Sequence, residues 1–147
     1  MVPGIAIKEI HISDPEYLQV WKLREEVLRK PLGLSLLAED LSGEAAEYIL
    51  VAMIDEEVIG CVLLKPVTAH ELKLRQMAVN PYHQGRGIGA AIVQASIELG
   101  IKEGFKIITL HARIPAVPFY EKAGFVEDGP VFTEVGIPHQ AMQKELS

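Results

Sequence analysis

Between residues 72 and 104 the spacing of apolar positions changes period, and that change marks the stretch around which the chain is organised. Leu72, Leu74, Gln76 and Ala78 alternate with Lys73, Arg75, Met77 and Val79, a period of two that predicts a strand with one packed face and one wetter face. Asn80-Pro81 stops it. Past Gln84-Gly85-Arg86-Gly87-Ile88-Gly89, the residues Ile88, Ile92, Ala95 and Leu99 fall on one stripe at helical spacing, and Gly100 and Gly104 close the helix. The glycines therefore stand in the first turn of a helix.

The same reading extends to both sides. Ile5, Ile7 and Ile10 predict a first strand, and Ser13-Asp14-Pro15-Glu16 has the form of a capping box. The box opens a helix over residues 14–29, with Tyr17, Val20, Trp21, Arg24, Val27 and Leu28 on one side and Pro31 ending it. Residues 32–43 predict an irregular segment with a short helical turn, whose apolar residues cover one wall of a cleft. Residues 48–54 and 58–64 predict a hairpin around Asp55-Glu56-Glu57. After the organising helix, residues 105–110 predict a strand and 115–123 a short helix with Gly124 as its cap. Residues 125–126 and 131–134 predict short strands, and 139–146 a last one. No repeat, linker or low-complexity tract divides this α/β pattern, so residues 1–147 are expected to form a single domain.

A chain of 147 residues, 49% of them apolar, can bury a core without disulfides or metal. A net charge of −6 and a pI near 5.4 disfavour nucleic acid as a partner, because such proteins present a basic face to phosphates. Cys61 is the single cysteine; it excludes an intramolecular disulfide and reads as a small core residue. Residues 1–4 lack the features of a signal peptide, and no segment reaches the ~18 apolar residues of a membrane span. No membrane partner and a cytoplasmic location are therefore expected. His11, His70, His83, His111 and His139 show no ligand spacing, so no metal site is expected.

The glycine turn is where chemistry enters. The first four N–H groups of a helix lack internal partners and the helix dipole adds about half a positive charge there. Without Cβ atoms at Gly85, Gly87 and Gly89 the backbone can close on a phosphate, and Arg86 can add a charge contact. Gly85-Arg86-Gly87-Ile88-Gly89-Ala90 formally satisfies a dinucleotide fingerprint, but the next strand ends at Leu110-His111 without the acid that motif needs. A Walker loop would need a Gly-Lys-Ser/Thr ending, which is absent.

The pattern Q/R-x-x-G-x-G/A, met by Gln84, Gly87 and Gly89 after a Val-Asn-Pro strand end, resembles the acetyl-coenzyme A pyrophosphate loop of the GNAT N-acetyltransferases. Phe119-Tyr120-Glu121-Lys122-Ala123-Gly124-Phe125 stands where that family carries its FYEKxGF segment. The resemblance covers residues 51–146, with 5–37 fitting more loosely. The ending from Glu134 to Met142, with Arg75 and His111, is closest in pattern to the small bacterial ElaA-like branch. It implies a GNAT fold in the order β-α-(α)-β-β-β-α-β-α-β-β, with a mixed central sheet splayed between strands 4 and 5 and flanked by helices.

What the resemblance implies for the site is specific to residues. Acetyl-coenzyme A would be held by Met77, Ala78 and Val79 through the strand backbone, and by Gln84, Gly85, Arg86, Gly87, Ile88 and Gly89 in the loop. Tyr120 aligns with a tyrosine near the coenzyme A sulfur, where a phenol can protonate the leaving thiolate. An ammonium acceptor must lose a proton before it attacks, and Glu71, His111, Glu134 and His139 are the candidate bases, with His111 preferred. Arg113 stands where many members carry Asn, and Lys73 where histone-type members carry a glutamate base, so histone-like acetylation is not implied. Lys73, Arg75, Arg86 and Arg113 are expected to cluster at the splay, with Arg75 contacting an anionic feature of the acceptor and His139 also lining its site.

The function implied is transfer of an acetyl group from acetyl-coenzyme A to the amine of a small molecule or peptide within a ternary complex. The alternatives are a non-catalytic acyl-coenzyme A sensor and a nucleotide-binding module. A homodimer is compatible with the sequence.

Overall fold

A computed structural model describes residues 4–147. The strands are β1 (Ile5–Ile10), β2 (Tyr48–Ile54), β3 (Glu57–Pro66), β4 (Glu71–Val79), β5 (Ile107–Arg113), β6 (Val126–Glu127), β7 (Phe132–Glu134) and β8 (Ile137–Glu145). The helices are α1 (Glu16–Arg24), α2 (Ile88–Lys102) and α3 (Val117–Lys122). All eight strands join one sheet in the order β1-β2-β3-β4-β5-β8-β6, with β7 paired to β8. Three strands follow the last helix, where the order written from the resemblance has two. Every pairing is antiparallel except β4 with β5.

That parallel pairing is short. It joins Glu71, Lys73 and the residue between them to Ile107, Thr109 and Ile108, and beyond Lys73 the two strands part. The expected splay between the fourth and fifth strands is thus present.

Helices cover both faces of the sheet. Ile88, Ile92 and Ile97 of α2 and Val117 of α3 pack with Leu72, Leu74, Ile108 and Phe125. Val20 and Leu23 of α1 pack with Ile49, Val51, Cys61 and Leu63 on the opposite face. Cys61 is fully buried and burial pushes its thiol up to about 12, so it is an inert core side chain. No helix among the described residues is long and apolar enough to cross a membrane.

Five local expectations are corrected. The capping box does not form: Asp14 folds back so that its Oδ2 accepts from the His11 N–H at 2.8 Å, and Glu16 pairs with Lys8 instead. α1 then widens into a π-helical turn over Glu25–Arg29 and runs through Pro31 in a 3₁₀ turn, ending at Gly33 with φ 70°. Gly100 does not close α2; it is buried inside it, where an added Cβ would lie 2.8 Å from a Leu146 methyl. The chain leaves α2 at Gly104, where the Phe105 N–H reaches back to the Gly100 carbonyl at 2.9 Å. β5 begins and ends later than predicted, which places His111 and Arg113 on the strand itself.

The fifth correction concerns β4. Cys61 faces Ala78 and Leu63 faces Arg75, so Val62 alone faces the two residues Gln76 and Met77, and Gln76 takes φ 56°. This bulge inserts one residue and swaps the faces beyond it. Leu72 and Leu74 join the core under α2, but Ala78 joins the core under α1, while Met77 and Val79 return to the α2 side.

Candidate active site

Two adjoining cavities open where β4 and β5 part. The first, of about 620 Å³, is lined by Met77, Ala78 and Val79 of β4, by Gln84, Gly85, Gly87, Ile88 and Gly89, and by Val27, Ala116 and Phe119. Eight of the nine residues expected to hold coenzyme A thus line one space. Arg86 does not line it; its Nη1 lies 3.4 Å from His83 Nδ1 on the exposed side of the loop.

Gly87 is the N-cap of α2 with φ 78°, a left-handed conformation that L side chains rarely adopt, and no side chain caps the helix. The first-turn N–H groups of α2 therefore remain available to an anion at a positive helix end. Gln84 Nε2 donates to the Val79 carbonyl at 3.2 Å, tying the loop to the strand end. Gly89 is glycine for a packing reason, since a Cβ there would lie 3.2 Å from Phe119 Cζ. A glycine-backed loop, an uncapped helix start and the strand edge beyond a bulge suit a pyrophosphate joined to an extended amide-bearing arm.

The second cavity, of about 460 Å³, shares Met77 and Ala116 with the first and is lined by Tyr120, His111, Glu134, His139, Lys73, Arg75 and Arg113. Leu28, Arg29 and Glu39 supply one further part of its wall. The leucines of residues 32–43 do not form that wall: Leu36 is buried and Leu37 is 83% exposed.

Tyr120 is buried between Phe119 and Phe125 with ring centroids 5.0 and 5.8 Å away, and burial pushes its phenol up to about 12. His111 Nδ1 lies 2.9 Å from Glu134 Oε1, an arrangement in which Nδ1–H donates to the carboxylate and Nε2 is left to accept a proton. His139 Nε2 sits 3.8 Å from the other oxygen of Glu134, while its Nδ1 donates to the Ile137 carbonyl at 2.8 Å. Phe132 packs on both imidazoles, edge-on to His111 at 4.9 Å and stacked with His139 at 6.0 Å. The chain thus gathers three of the four candidate bases at one point. Glu71 is the exception; it accepts from the Thr109 hydroxyl at 2.8 Å and lies outside this cavity.

The expected cationic cluster is reduced. Lys73, Arg75 and Arg113 line the second cavity and Arg86 does not. Arg75 already has a partner, with Nη1 at 2.8 Å from Glu47 Oε1 and 3.1 Å from Oε2.

A buried network beneath the cleft was not foreseen. Arg24, with 0% exposure, donates from Nη1 and Nη2 to the two oxygens of Glu44 at 2.8 and 2.7 Å, and from Nε to Gln76 Oε1 at 3.2 Å. Tyr17 donates to Glu44 Oε1 at 2.6 Å, and burial with that bond raises its phenol to about 12. Burial is the largest influence and works against the Arg24 charge, yet the bond to Glu44 and the attraction of that carboxylate's charge together outweigh it and hold the guanidinium above its usual value. The signal in the sequence was an arginine on the apolar stripe of α1, which demands a buried partner.

Residues 14–146 match the acetyltransferase (GNAT) domain, and the chain belongs to the GNAT N-acetyltransferase family of acyltransferases. Two Bacillus subtilis proteins are similar along most of its length. The uncharacterized N-acetyltransferase YjcF is 35% identical over 142 residues, 96% of this chain and 97% of its own. The uncharacterized protein YyaT is 32% identical over 144 residues, 98% and 84% respectively. Among solved structures, a Lactobacillus plantarum protein assigned to the N-acetyltransferases superposes with a TM-score of 0.88 at 22% identity, over 98% of this chain and 99% of its own. Escherichia coli ElaA superposes with a TM-score of 0.82 at 18% identity, over 96% and 99%. A GNAT acetyltransferase from Elizabethkingia anophelis with acetyl-coenzyme A bound superposes with a TM-score of 0.71 at 19% identity, over 98% and 99%.

Proposed function

We propose that this acyltransferase moves an acetyl group from acetyl-coenzyme A to the amine of a small-molecule or peptide acceptor by direct transfer in a ternary complex. The observation that carries the reading is the meeting of the two cavities at Met77 and Ala116, with Tyr120 and the His111–Glu134 pair lining the second. One space offers a cradle for a phosphate-bearing carrier, and the other a base for an incoming ammonium.

When bound, acetyl-coenzyme A supplies an activated thioester. The α2 start with Gly85 and Gly87 holds its anionic part, and the β4 backbone beyond Gln76 orients the arm toward the junction. Glu134 fixes the tautomer of His111, whose Nε2 takes the proton of the acceptor ammonium. An N–H of β4 at Met77 to Val79 steadies charge on the reacting carbonyl oxygen. Tyr120, protonated across the physiological range because burial raises its phenol to about 12, donates to the departing sulfur.

The test is release of free thiol from acetyl-coenzyme A with a broad amine panel, alongside calorimetry with coenzyme A and ATP. Amine-dependent thiol release and selective coenzyme A binding are expected. Tight coenzyme A binding without turnover of any amine would leave an acyl-coenzyme A sensor in its place.

A further inference from the structure

A third concavity, of about 560 Å³, adjoins the acceptor cavity on the same face of the sheet and shares Lys73, Arg75, Leu110 and His111 with it. Lys65 and Lys73 both line it and are direct cross-strand partners in the β3–β4 register. Like charges directly opposite each other on adjacent strands repel. Neither lysine has a carboxylate within ion-pair distance among the described residues. The nearby acids are otherwise placed: Glu71 accepts from Thr109, Glu47 is taken by Arg75, and Asp128, which also lines the cavity, forms no ion pair with either lysine.

From this pairing we infer that the concavity is an anion subsite for the acceptor, in which Lys65 and Lys73 hold a carboxylate or phosphate carried by the same molecule whose amine is acetylated. The inference rests on the acetyl-transfer reading above. It moves the anion contact from Arg75, whose guanidinium is engaged, to the lysine pair beside it. Lys73 is registered with Thr109, and His111 lies two residues further along the same face of β5. Lys73 and His111 both line this concavity and the acceptor cavity, so one small molecule can reach both. Lysine presents a point charge rather than a planar fork, so the pair accepts either oxyanion.

The experiment is calorimetric titration of the whole chain, saturated with coenzyme A, with matched amines. 4-Aminobutyrate, 6-aminohexanoate and O-phosphoethanolamine are compared with butylamine, hexylamine and ethanolamine, so that the carboxylate and phosphate arms separate the two anions. At least one anionic amine should bind about tenfold or more tightly than its neutral partner, through charge-assisted bonds. That ratio should fall toward unity in Lys73→Gln and in the Lys65→Gln, Lys73→Gln double variant. Both variants should fold, since each relieves a like-charge contact, and coenzyme A affinity measured alongside reports on that. Equal affinity within every pair, or a preference that survives in the double variant, overturns the inference. Thiol release is scored separately: an anionic amine that binds through the lysines but is never acetylated defeats the acetyl-transfer reading and leaves the anion subsite standing.

Discussion

Arg24 on α1 and Glu44 in the 3₁₀ turn of Ser42–Ala46 form a bidentate ion pair at 2.8 and 2.7 Å, with both side chains out of solvent. Because the same guanidinium reaches Gln76 at 3.2 Å, the pair fastens this turn and α1 to the bulge in β4. Removing one partner leaves a buried charge alone. Arg24→Met should therefore cost about 3–5 kcal/mol, read as a lower urea midpoint at unchanged slope.

The pair also sets an acid limit on stability. Burial raises the Glu44 carboxyl, but its bonds from Arg24 and Tyr17 outweigh that and hold it below its ordinary 4.5. A depressed folded-state value means that the stabilisation is complete above pH 4.5 and is lost as the pH falls through the lower folded value. Denaturant midpoints of the wild type should fall on acidification through this window, and those of Glu44→Gln should fall less.

Gly87→Glu places a carboxylate at the uncapped start of α2 and a side chain at φ 78°. Coenzyme A binding should be abolished in calorimetry. The left-handed conformation costs a non-glycine residue about 1–2 kcal/mol, so Gly87→Asn, which tolerates it better, is the control that should retain most of the affinity. Equal coenzyme A binding by a folded Gly87→Glu protein would remove the loop from the cofactor site.

Tyr120→Phe removes one hydroxyl and leaves the ring between Phe119 and Phe125. It should lower kcat by roughly 10²–10⁴ with coenzyme A affinity unchanged, a loss confined to the transition state. With the phenol at about 12, wild-type activity should show no alkaline limb from this group in the working range. A wild-type rate in the variant would reduce Tyr120 to a packing side chain.

His111→Gln should lower kcat/KM by roughly 10²–10⁴. Glu134→Gln should lower it within the same range, because an amide that offers N–H to Nδ1 favours the wrong tautomer. If Glu134→Gln retains full activity across the pH profile, His139 or solvent must take the proton.

The sequence made the glycine loop and the FYEKxGF helix legible because each rests on local backbone requirements written in consecutive residues. Phe125 confirms the second: its N–H closes on the Tyr120 carbonyl at 3.1 Å beyond Gly124. The bulge was illegible, since apolar residues continue to alternate through Gln76 whichever face they meet. Val79 therefore reads as wetter and Ala78 as packed with Leu72 and Leu74, while the inserted residue exchanges their sides. The convergence of His111, Glu134 and His139 was equally out of reach, because it depends on how β7 folds back onto β8 and not on spacing. Arg24 was visible as a charge on an apolar stripe, but its partner lies 20 residues away in a segment without periodicity.

The brief pairing of β4 with β5 leaves two strand edges bare, and bare edges usually invite another chain to add a strand and begin aggregation. Here the two edges face each other across a cleft, and one of them is bent by the bulge at Gln76. A foreign sheet cannot enter so concave a space, whereas a narrow amide-bearing molecule can lie along it. The fold thus leaves strand-type hydrogen-bonding groups accessible to a small molecule while shielding them from the self-association that such groups promote on a flat edge.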